Sequence, residues 1–402
     1  MLQQGQSLFR SPAGTAAAVA GAAAICCAGL YMHLRPVLGD LKRPPQEHKI
    51  TRARTRDAAS SRKQDGAEAL AYPPDAFPGG RQVKTAYGTI QVFEWGPEEG
   101  EKVLLLHGIG TPCVALGDMA KEFVSQGCRV MIFDLFGRGY SDAPADLPYD
   151  DRLYTTQILL AIASSPLSWT GPSAFHILGY SLGGALAASF ATYHANLLRS
   201  VTLVCPGGLV RPSHISRRSR FLYAPGVLPE WLVQRMGRSR LRPRTGAGSA
   251  DVPGVEDGDV DEDADVDFDE VLLAADKPRG GRVGDVVAWQ LDGNEGFVNA
   301  YISTIRNAPI YAQHDGLWKV LGEQLALRRE GDVSVQGLES GRVCLILAER
   351  DPIVIPSEWI EDAKTVLGPE GVDAHVMKGG HELAISKGRA VARVAMQSWK
   401  ST

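Results

Sequence analysis

The chain has 402 residues, a formal net charge of −4 and 44% hydrophobic residues, a composition typical of a globular protein with a large buried core. The slightly negative net charge argues against nucleic acid as a partner. The six cysteines form no Cys-x-x-Cys pair, so no disulfide framework is predicted. No metal or other cofactor is predicted either.

The amino-terminal segment is apolar. Residues 12–34 contain no Asp, Glu, Lys or Arg and are long enough to cross ~30 Å of hydrocarbon as a helix. Three interpretations of residues 1–35 stay open: a membrane anchor, a cleaved mitochondrial or secretory targeting segment, and an Ala/Gly-rich tail. Basic residues follow the segment, so an anchor would place the rest of the chain in the cytosol. Residues 36–78, rich in Pro, Arg, Ser and Gln, are predicted to form a flexible linker.

Eight apolar or alternating segments predict the strands of one sheet. The first two form a hairpin around Tyr87-Gly88, and helical stretches separate the later ones. This rhythm predicts a mostly parallel α/β sheet with helices on both faces. The predicted strands are Gln82–Ala86, Thr89–Trp95, Lys102–Leu106, Arg129–Phe133, Phe175–Leu178, Ser200–Val204, Val343–Leu347 and Ala374–Met377.

The fifth strand leads into the most informative motif of the chain, Gly179-Tyr180-Ser181-Leu182-Gly183-Gly184. An alanine-rich helical stretch follows it, so the order is strand, glycine-flanked serine, helix. This is the pattern of a nucleophile elbow, in which the glycines let strand and helix approach closely and the serine is held in a strained turn. We therefore predict Ser181 as a nucleophile and Gly179, Gly183 and Gly184 as structural residues of the turn.

A serine hydroxyl needs a base and a carboxylate that orients the base. Asp351 and His381 each follow one of the last two predicted strands, and they give the chain order Ser181, Asp351, His381. Glu349 is an alternative acid because it lies two residues from Asp351. Asp134 and Asp142 are further alternatives, although each is also suited to bracing a glycine-rich loop by hydrogen bonds to the backbone.

Together these motifs make residues 80 to 400 resemble the α/β-hydrolase superfamily. His107-Gly108-Ile109-Gly110 is similar to the family's His-Gly segment after the third strand, and residues 133–142 are similar to its Asp-x-x-Gly-x-Gly-x-Ser loop. The resemblance implies that the backbone N–H groups of Ile109 and Leu182 form the oxyanion hole. It also implies that His107 and Gly108 shape the oxyanion loop.

The resemblance further implies an α/β-hydrolase core at 79–206 and 332–402, with a helical cap at 207–331 inserted after strand 6. Arginines interleaved with apolar residues over 211–244 predict short amphipathic helices, and aromatic and aliphatic spacing over 285–327 predicts a helical pair. An acidic segment near 245–281 lacks the ligand spacing of a calcium loop and is predicted to be disordered.

These residues predict a serine hydrolase that cleaves a small-molecule carboxylic ester, with a lipid-like or other apolar acyl group, through an acyl-enzyme. Two alternatives stay open. The same residues could serve a thioesterase, acyltransferase, amidase or carbon–carbon hydrolase, or the chain could be a catalytically silent ligand-binding member. Association with a membrane through residues 12–34 is a separate prediction.

Overall fold

The computed structural model describes residues 26–27, 49–53, 71–243, 268–273, 281–332 and 336–400. The chain divides into two compact units, Met1–Lys49 and Ile50–Thr402. In the first unit the described residues are Cys26 and Cys27, which are helical, and Lys49. The rest of the predicted anchor at 12–34 lies outside the described residues. Among the described residues, none of the helices combines the length and apolar character that crossing a bilayer requires.

The second unit is built on an eight-stranded sheet. The strands are β1 Gly80–Thr85, β2 Gly88–Trp95, β3 Lys102–Leu106, β4 Arg129–Phe133, β5 Phe175–Tyr180, β6 Leu198–Val204, β7 Val343–Ala348 and β8 Val372–Met377. Their order across the sheet is β8-β7-β6-β5-β3-β4-β2-β1. Strand β2 pairs antiparallel with β1 and β4, and all other pairs are parallel. The predicted sheet is therefore confirmed.

The central strands are buried along almost their whole length, as expected for parallel strands with helices on both faces. The core helices are α1 Gly117–Ser125, α2 Asp151–Ala163, α3 Leu182–Tyr193, α8 Leu317–Arg329, α9 Pro356–Leu367, the short α10 Leu383–Ser386 and α11 Gly388–Lys400. Helix α1 packs against α11, where Phe123 stacks on Trp399 at 5.5 Å between ring centres. Helix α3 packs against α2 and α8, and α8 packs against α9.

Among the described residues, four further helices lie between β6 and α8, in the region 207–331 that is predicted to form the cap. They are α4 Arg217–Tyr223, α5 Glu230–Leu241, α6 Val283–Gly293 and α7 Phe297–Asn307. Helix α7 contacts the other three. It buries Phe297, Tyr301 and Ile305, the residues whose helical spacing the sequence shows.

The segment predicted as a flexible linker is partly folded. Ile50 and Thr51 pair antiparallel with Pro144 and Ala143, and the ring of Phe77 stacks on Trp95 at 5.2 Å. The linker prediction for 36–78 is therefore wrong for residues 50–53 and 71–78. Burial of aromatic side chains and strand pairing stabilise these stretches, which composition alone does not reveal.

The acidic segment also contains a folded part. Phe268, Val271 and Leu273 are buried, and Leu272 forms an isolated bridge with Arg282. The prediction of disorder near 245–281 is therefore wrong for residues 268–273, whose apolar side chains pack onto the protein. Residues 244–267 and 274–280 lie outside the described residues.

Candidate active site

Ser181 occupies the sharp turn between β5, which ends at Tyr180, and α3, which begins at Leu182. Its backbone has φ 53° and ψ −116°, a conformation that is strained for a residue with a side chain. The turn lies at the carboxyl edge of the sheet, where ligands bind in open α/β folds. Only 7% of the residue is exposed.

The glycines around Ser181 are required by close packing of the backbone. A Cβ on Gly179 would lie 2.0 Å from the Gly183 oxygen, and one on Gly183 would lie 2.2 Å from the Leu106 oxygen. A Cβ on Gly184 would lie 2.5 Å from the side chain of Pro206. No carbon atom tolerates these distances, so the motif allows a turn that other residues would prevent.

The structure brings Ser181, His381 and Asp351 together. His381 Nε2 lies 3.0 Å from Ser181 Oγ, and His381 Nδ1 lies 2.7 Å from Asp351 Oδ2. The second carboxylate oxygen of Asp351 accepts the backbone N–H groups of Ile353 and Val354, both at 2.9 Å. Asp351 is thereby fixed as an acceptor, and this network assigns the Nδ1 proton of neutral His381 to the side facing Asp351. Nε2 then presents its lone pair to Ser181 Oγ and can accept the serine proton.

Asp134, an alternative acid, braces a loop instead. Its carboxylate accepts the backbone N–H groups of Tyr140 at 2.9 Å and Cys113 at 3.0 Å, and also the Tyr72 hydroxyl at 3.1 Å. Complete burial raises the pKa of Asp134 to about 6, and these hydrogen bonds hold it below a still higher value. The Asp134 carboxylate therefore holds the loop after β4, Cys113 and Tyr72 together.

Asp142 and Glu349 are also placed elsewhere. Asp142 accepts the backbone N–H groups of Ala53 and Thr89, both at 2.8 Å, and thus fastens the amino-terminal stretch to the sheet. The residue Glu349 is exposed, and its backbone N–H donates to Met377. Of the four candidate acids, Asp351 is the one hydrogen-bonded to His381.

The predicted oxyanion loop passes beside the start of α3. Leu106, the last residue of β3, is in register with Gly179 of β5, so the loop at 107–110 leaves the sheet next to Ser181. In the described part of the chain, no protein acceptor is hydrogen-bonded to the backbone N–H groups of Ile109 or Leu182. Both groups are therefore available to an oxyanion.

His107 sets the direction of the Ile109 N–H. The Leu135 N–H donates to His107 Nε2 at 2.9 Å, which leaves Nδ1–H to donate to the Gly108 oxygen at 2.8 Å. The Gly108 carbonyl and the Ile109 N–H belong to one planar trans peptide and point in opposite directions, so fixing one fixes the other. Burial lowers the pKa of His107 to about 3, and the ring stays neutral near pH 7.

Comparison with known proteins identifies the family. The sequence profile of the alpha/beta hydrolase fold family matches residues 102–367. The chain belongs to the α/β-hydrolase family. The family's His-Gly segment, nucleophile turn and acid loop all fall within this range.

Individual relatives share limited sequence identity with this chain, and only over part of its length. The chain is 27% identical over 155 residues to an Arabidopsis thaliana protein named "Probable lysophospholipase BODYGUARD 4", covering 38% of this chain and 32% of the plant protein. It is 30% identical over 149 residues to 2-hydroxymuconate semialdehyde hydrolase of Pseudomonas putida, covering 37% and 50%. These matches span half or less of the length of either relative.

A solved structure with a similar fold is that of a membrane phospholipase A described as a novel bacterial virulence factor. It has a TM-score of 0.54 and 16% sequence identity, and the likeness covers 96% of this chain and 98% of that one. At this identity the likeness shows the fold alone.

A residue that sequence reasoning missed, Gln290, joins the cap to the oxyanion loop. From α6, its Nε2 donates to the Gly110 oxygen at 2.9 Å and its Oε1 accepts the Gly139 N–H at 2.9 Å. The side chain is fully buried. A polar amide on the buried face of a helix, beside Val286 and Val287, is the sequence signal that could have pointed to it.

A second missed residue is Arg138, whose guanidinium is fully buried. Its Nε donates to the Ile109 oxygen at 3.1 Å, and its terminal nitrogens donate to Phe136 O, Tyr154 Oη and Thr304 Oγ1, each at 3.0 Å. Thr304 belongs to cap helix α7. The acceptors are neutral oxygen atoms, so the guanidinium adds a positive field beside the oxyanion loop while it links that loop to the cap.

Proposed function

We propose that this α/β-hydrolase is a serine esterase that hydrolyses a carboxylic ester with an apolar, lipid-like acyl group. The observation that carries the proposal is the continuous chain of short contacts from Ser181 through His381 to Asp351 at the strained turn. A serine hydroxyl in that chain can lose its proton as it attacks a carbonyl, which is the requirement for acyl transfer.

In the first step, Ser181 Oγ attacks the ester carbonyl carbon and His381 Nε2 accepts the hydroxyl proton. Asp351 stabilises the imidazolium that forms, and it keeps the ring in the orientation that this transfer needs. The carbonyl oxygen becomes an oxyanion, which accepts the N–H groups of Ile109 and Leu182. Loss of one such donor typically lowers the rate by about 10²–10³.

In the second step, the carbon–oxygen bond to the leaving alcohol breaks as His381 returns its proton to the alcohol oxygen. The acyl group is then esterified to Ser181. Water attacks this acyl-enzyme, His381 accepts a proton from the water, and the carboxylic acid leaves as the Ser181 oxygen regains the proton. This scheme requires no cofactor.

The cap at 207–331 is proposed to roof the acyl pocket. Its helices α6 and α7 already contact the oxyanion loop through Gln290 and, by way of Arg138, through Thr304. An acyl group bound at Ser181 would lie beside the loop at 107–110, which Gln290 of α6 contacts. The lysophospholipase name of the plant relative supports a lipid-like ester, and a membrane anchor at 12–34 would bring the enzyme to such substrates.

Hydrolysis of p-nitrophenyl esters from acetate to palmitate by the full chain tests the proposal. We expect turnover that depends on acyl length, with Ser181→Ala reduced to the background rate. If wild-type protein and Ser181→Ala hydrolyse every ester equally, the esterase proposal fails. If only short esters are cleaved, the lipid-like substrate fails and the esterase mechanism stands.

A second candidate is a carbon–carbon hydrolase that uses the same residues. The relative from Pseudomonas putida favours it, because that protein is named for hydrolysis of 2-hydroxymuconate semialdehyde. Incubation with this compound, followed by product analysis, separates the two candidates. Turnover of the semialdehyde without turnover of any ester assigns the carbon–carbon reaction. Turnover of neither favours a silent binding member.

A further inference from the structure

The outer surface of the cap helices α4 and α5 is strongly basic. Residues 216–243 contain seven arginines and one acid, Glu230, and all seven arginines are exposed. Glu230 is bound to Arg306 at 2.9 Å, so its charge is already used within the cap. Arg238 and Arg242 approach the single carboxylate of Asp292 at 3.7 and 3.9 Å. In the described part of the chain, Arg217, Arg220 and Arg235 form no ion pair, so a net positive charge remains on this surface.

The same surface exposes large apolar side chains. Phe221 is 57% exposed, Val227 49%, Trp231 65% and Met236 44%. They are four of the nine exposed large hydrophobic residues in the described part of the chain, gathered within sixteen residues of sequence. Scattered exposed residues would need no explanation, but a cluster of this kind marks an interaction surface.

The geometry of α5 places cation and aromatic ring side by side. The helix buries Val233, Gly237 and Leu241 against the protein. Trp231 and Arg235 are one helical turn apart on the opposite face, because four residues advance an α-helix by about one turn. A solvent-exposed helix face usually carries mixed acids and bases, whereas this face carries tryptophan and arginine.

We propose that the surface formed by Phe221, Val227, Trp231, Met236 and the arginines of α4 and α5 docks on an anionic phospholipid bilayer. Arginines bind lipid phosphate and carboxylate groups, while the rings of Trp231 and Phe221 enter the boundary between headgroups and acyl chains. A soluble polyanion such as a nucleic acid would satisfy the arginines only. The exposed apolar side chains favour the bilayer.

Docking in this orientation would deepen the proposed function, because α5 packs on α7, which is linked to the oxyanion loop through Thr304 and Arg138. The cap would then face the membrane in which lipid esters lie. Binding to the bilayer does not require turnover, however. A failure of the esterase assay and a failure of the docking assay are therefore distinguishable.

Tryptophan fluorescence tests the proposal at a single site. All seven tryptophans lie in the described residues, and Trp231 is the only one among the exposed large side chains. The full chain is mixed with vesicles of brominated phosphatidylcholine, alone or with phosphatidylserine. We expect quenching with the anionic vesicles and its loss in Trp231→Phe, which still co-sediments with them. Residues 1–35 contain no tryptophan, so an amino-terminal anchor does not produce this signal.

Charge variants supply the matched control. Arg217→Gln with Arg235→Gln should weaken anionic-vesicle binding about 25-fold, from about fivefold for each neutralised arginine. Arg342→Gln with Arg389→Gln removes two exposed arginines outside the cap and should leave binding unchanged. Thermal unfolding of each variant verifies that it is folded.

Three results would overturn the proposal. The first is quenching that persists in Trp231→Phe or is absent from the wild type, and the second is equal binding by the two arginine pairs. The third is binding to an oligonucleotide without binding to anionic vesicles, which would assign the surface to a soluble polyanion. Quenching that needs both Trp231 and phosphatidylserine supports the bilayer.

Discussion

The buried histidine of the oxyanion loop should make the protein sensitive to acid, and replacing His107 by Gln tests this. In the folded protein the pKa of His107 is about 3, because burial disfavours the charged ring, whereas an unfolded histidine titrates near pH 6.5. Between these values the unfolded chain binds a proton that the folded protein does not. The contribution of His107 to the free energy of unfolding therefore grows as the pH rises from about 3 to about 6.5. It is fully present above that range and is lost as the pH falls.

The size of the effect follows from the shift. At about 1.4 kcal/mol per pKa unit, His107 contributes on the order of 5 kcal/mol to this pH dependence. Asp134 opposes it, because its pKa is raised to about 6 and the folded protein holds a proton that the unfolded chain has released. That opposing term lowers stability as the pH rises from about 4 to 6, by on the order of 3 kcal/mol. The wild type and His107→Gln both contain Asp134, so this term cancels when their free energies of unfolding are compared.

The assay is urea unfolding at a series of pH values from 3 to 7, followed by tryptophan fluorescence. His107→Gln should be less stable than the wild type at pH 7, since it disturbs the bonds to Gly108 and Leu135. The difference between the two proteins should shrink as the pH falls, because only the wild type loses the histidine term. Two parallel curves of unfolding free energy against pH would refute the reasoning.

Three further predictions concern the candidate site. Asp351→Asn should lower kcat on p-nitrophenyl acetate by about 10⁴ with little change in KM, because the amide no longer fixes the imidazole tautomer. Glu349→Gln should match the wild type. A larger effect at Glu349 than at Asp351 would reassign the acid. Gln290→Leu should lower kcat about 10- to 100-fold by releasing the oxyanion loop. Gln313 lies outside the hydrogen bonds of Gln290, so Gln313→Leu should not lower kcat. Equal kcat values for the two variants would show that Gln290 does not position the loop. Gly179→Ala should destabilise the protein by about 3 kcal/mol or more in urea unfolding, since its Cβ would lie 2.0 Å from a main-chain oxygen of α3. A urea midpoint close to that of the wild type would contradict the packing argument.

The sheet could be predicted from the sequence because its strands are local signals. Continuous apolar runs such as Val343–Ala348 indicate a strand buried on both faces, and glycines at fixed spacing around Ser181 indicate a turn between strand and helix. The positions of Asp351 and His381 also followed from local rules, because each comes directly after a predicted strand. Parallel strands bring their carboxyl ends to one edge.

The cap contacts could not be predicted in the same way. Gly110 and Gln290 are 180 residues apart in sequence, and Arg138 and Thr304 are 166 apart. No local pattern specifies which amide or guanidinium will reach a given carbonyl over such separations. Tyr72 is missed for a similar reason: it stands in a Pro-rich stretch, and only the folded chain shows that its hydroxyl donates to Asp134.

The central claim is that the hydroxyl of Ser181 is activated by His381 and Asp351. Intact-protein mass spectrometry after treatment with a fluorophosphonate, followed by peptide mapping, measures this reactivity directly. We predict one adduct, located on Ser181, that is lost in Ser181→Ala and forms far more slowly in His381→Ala. An unmodified wild-type protein, or an adduct on another residue, would contradict the account.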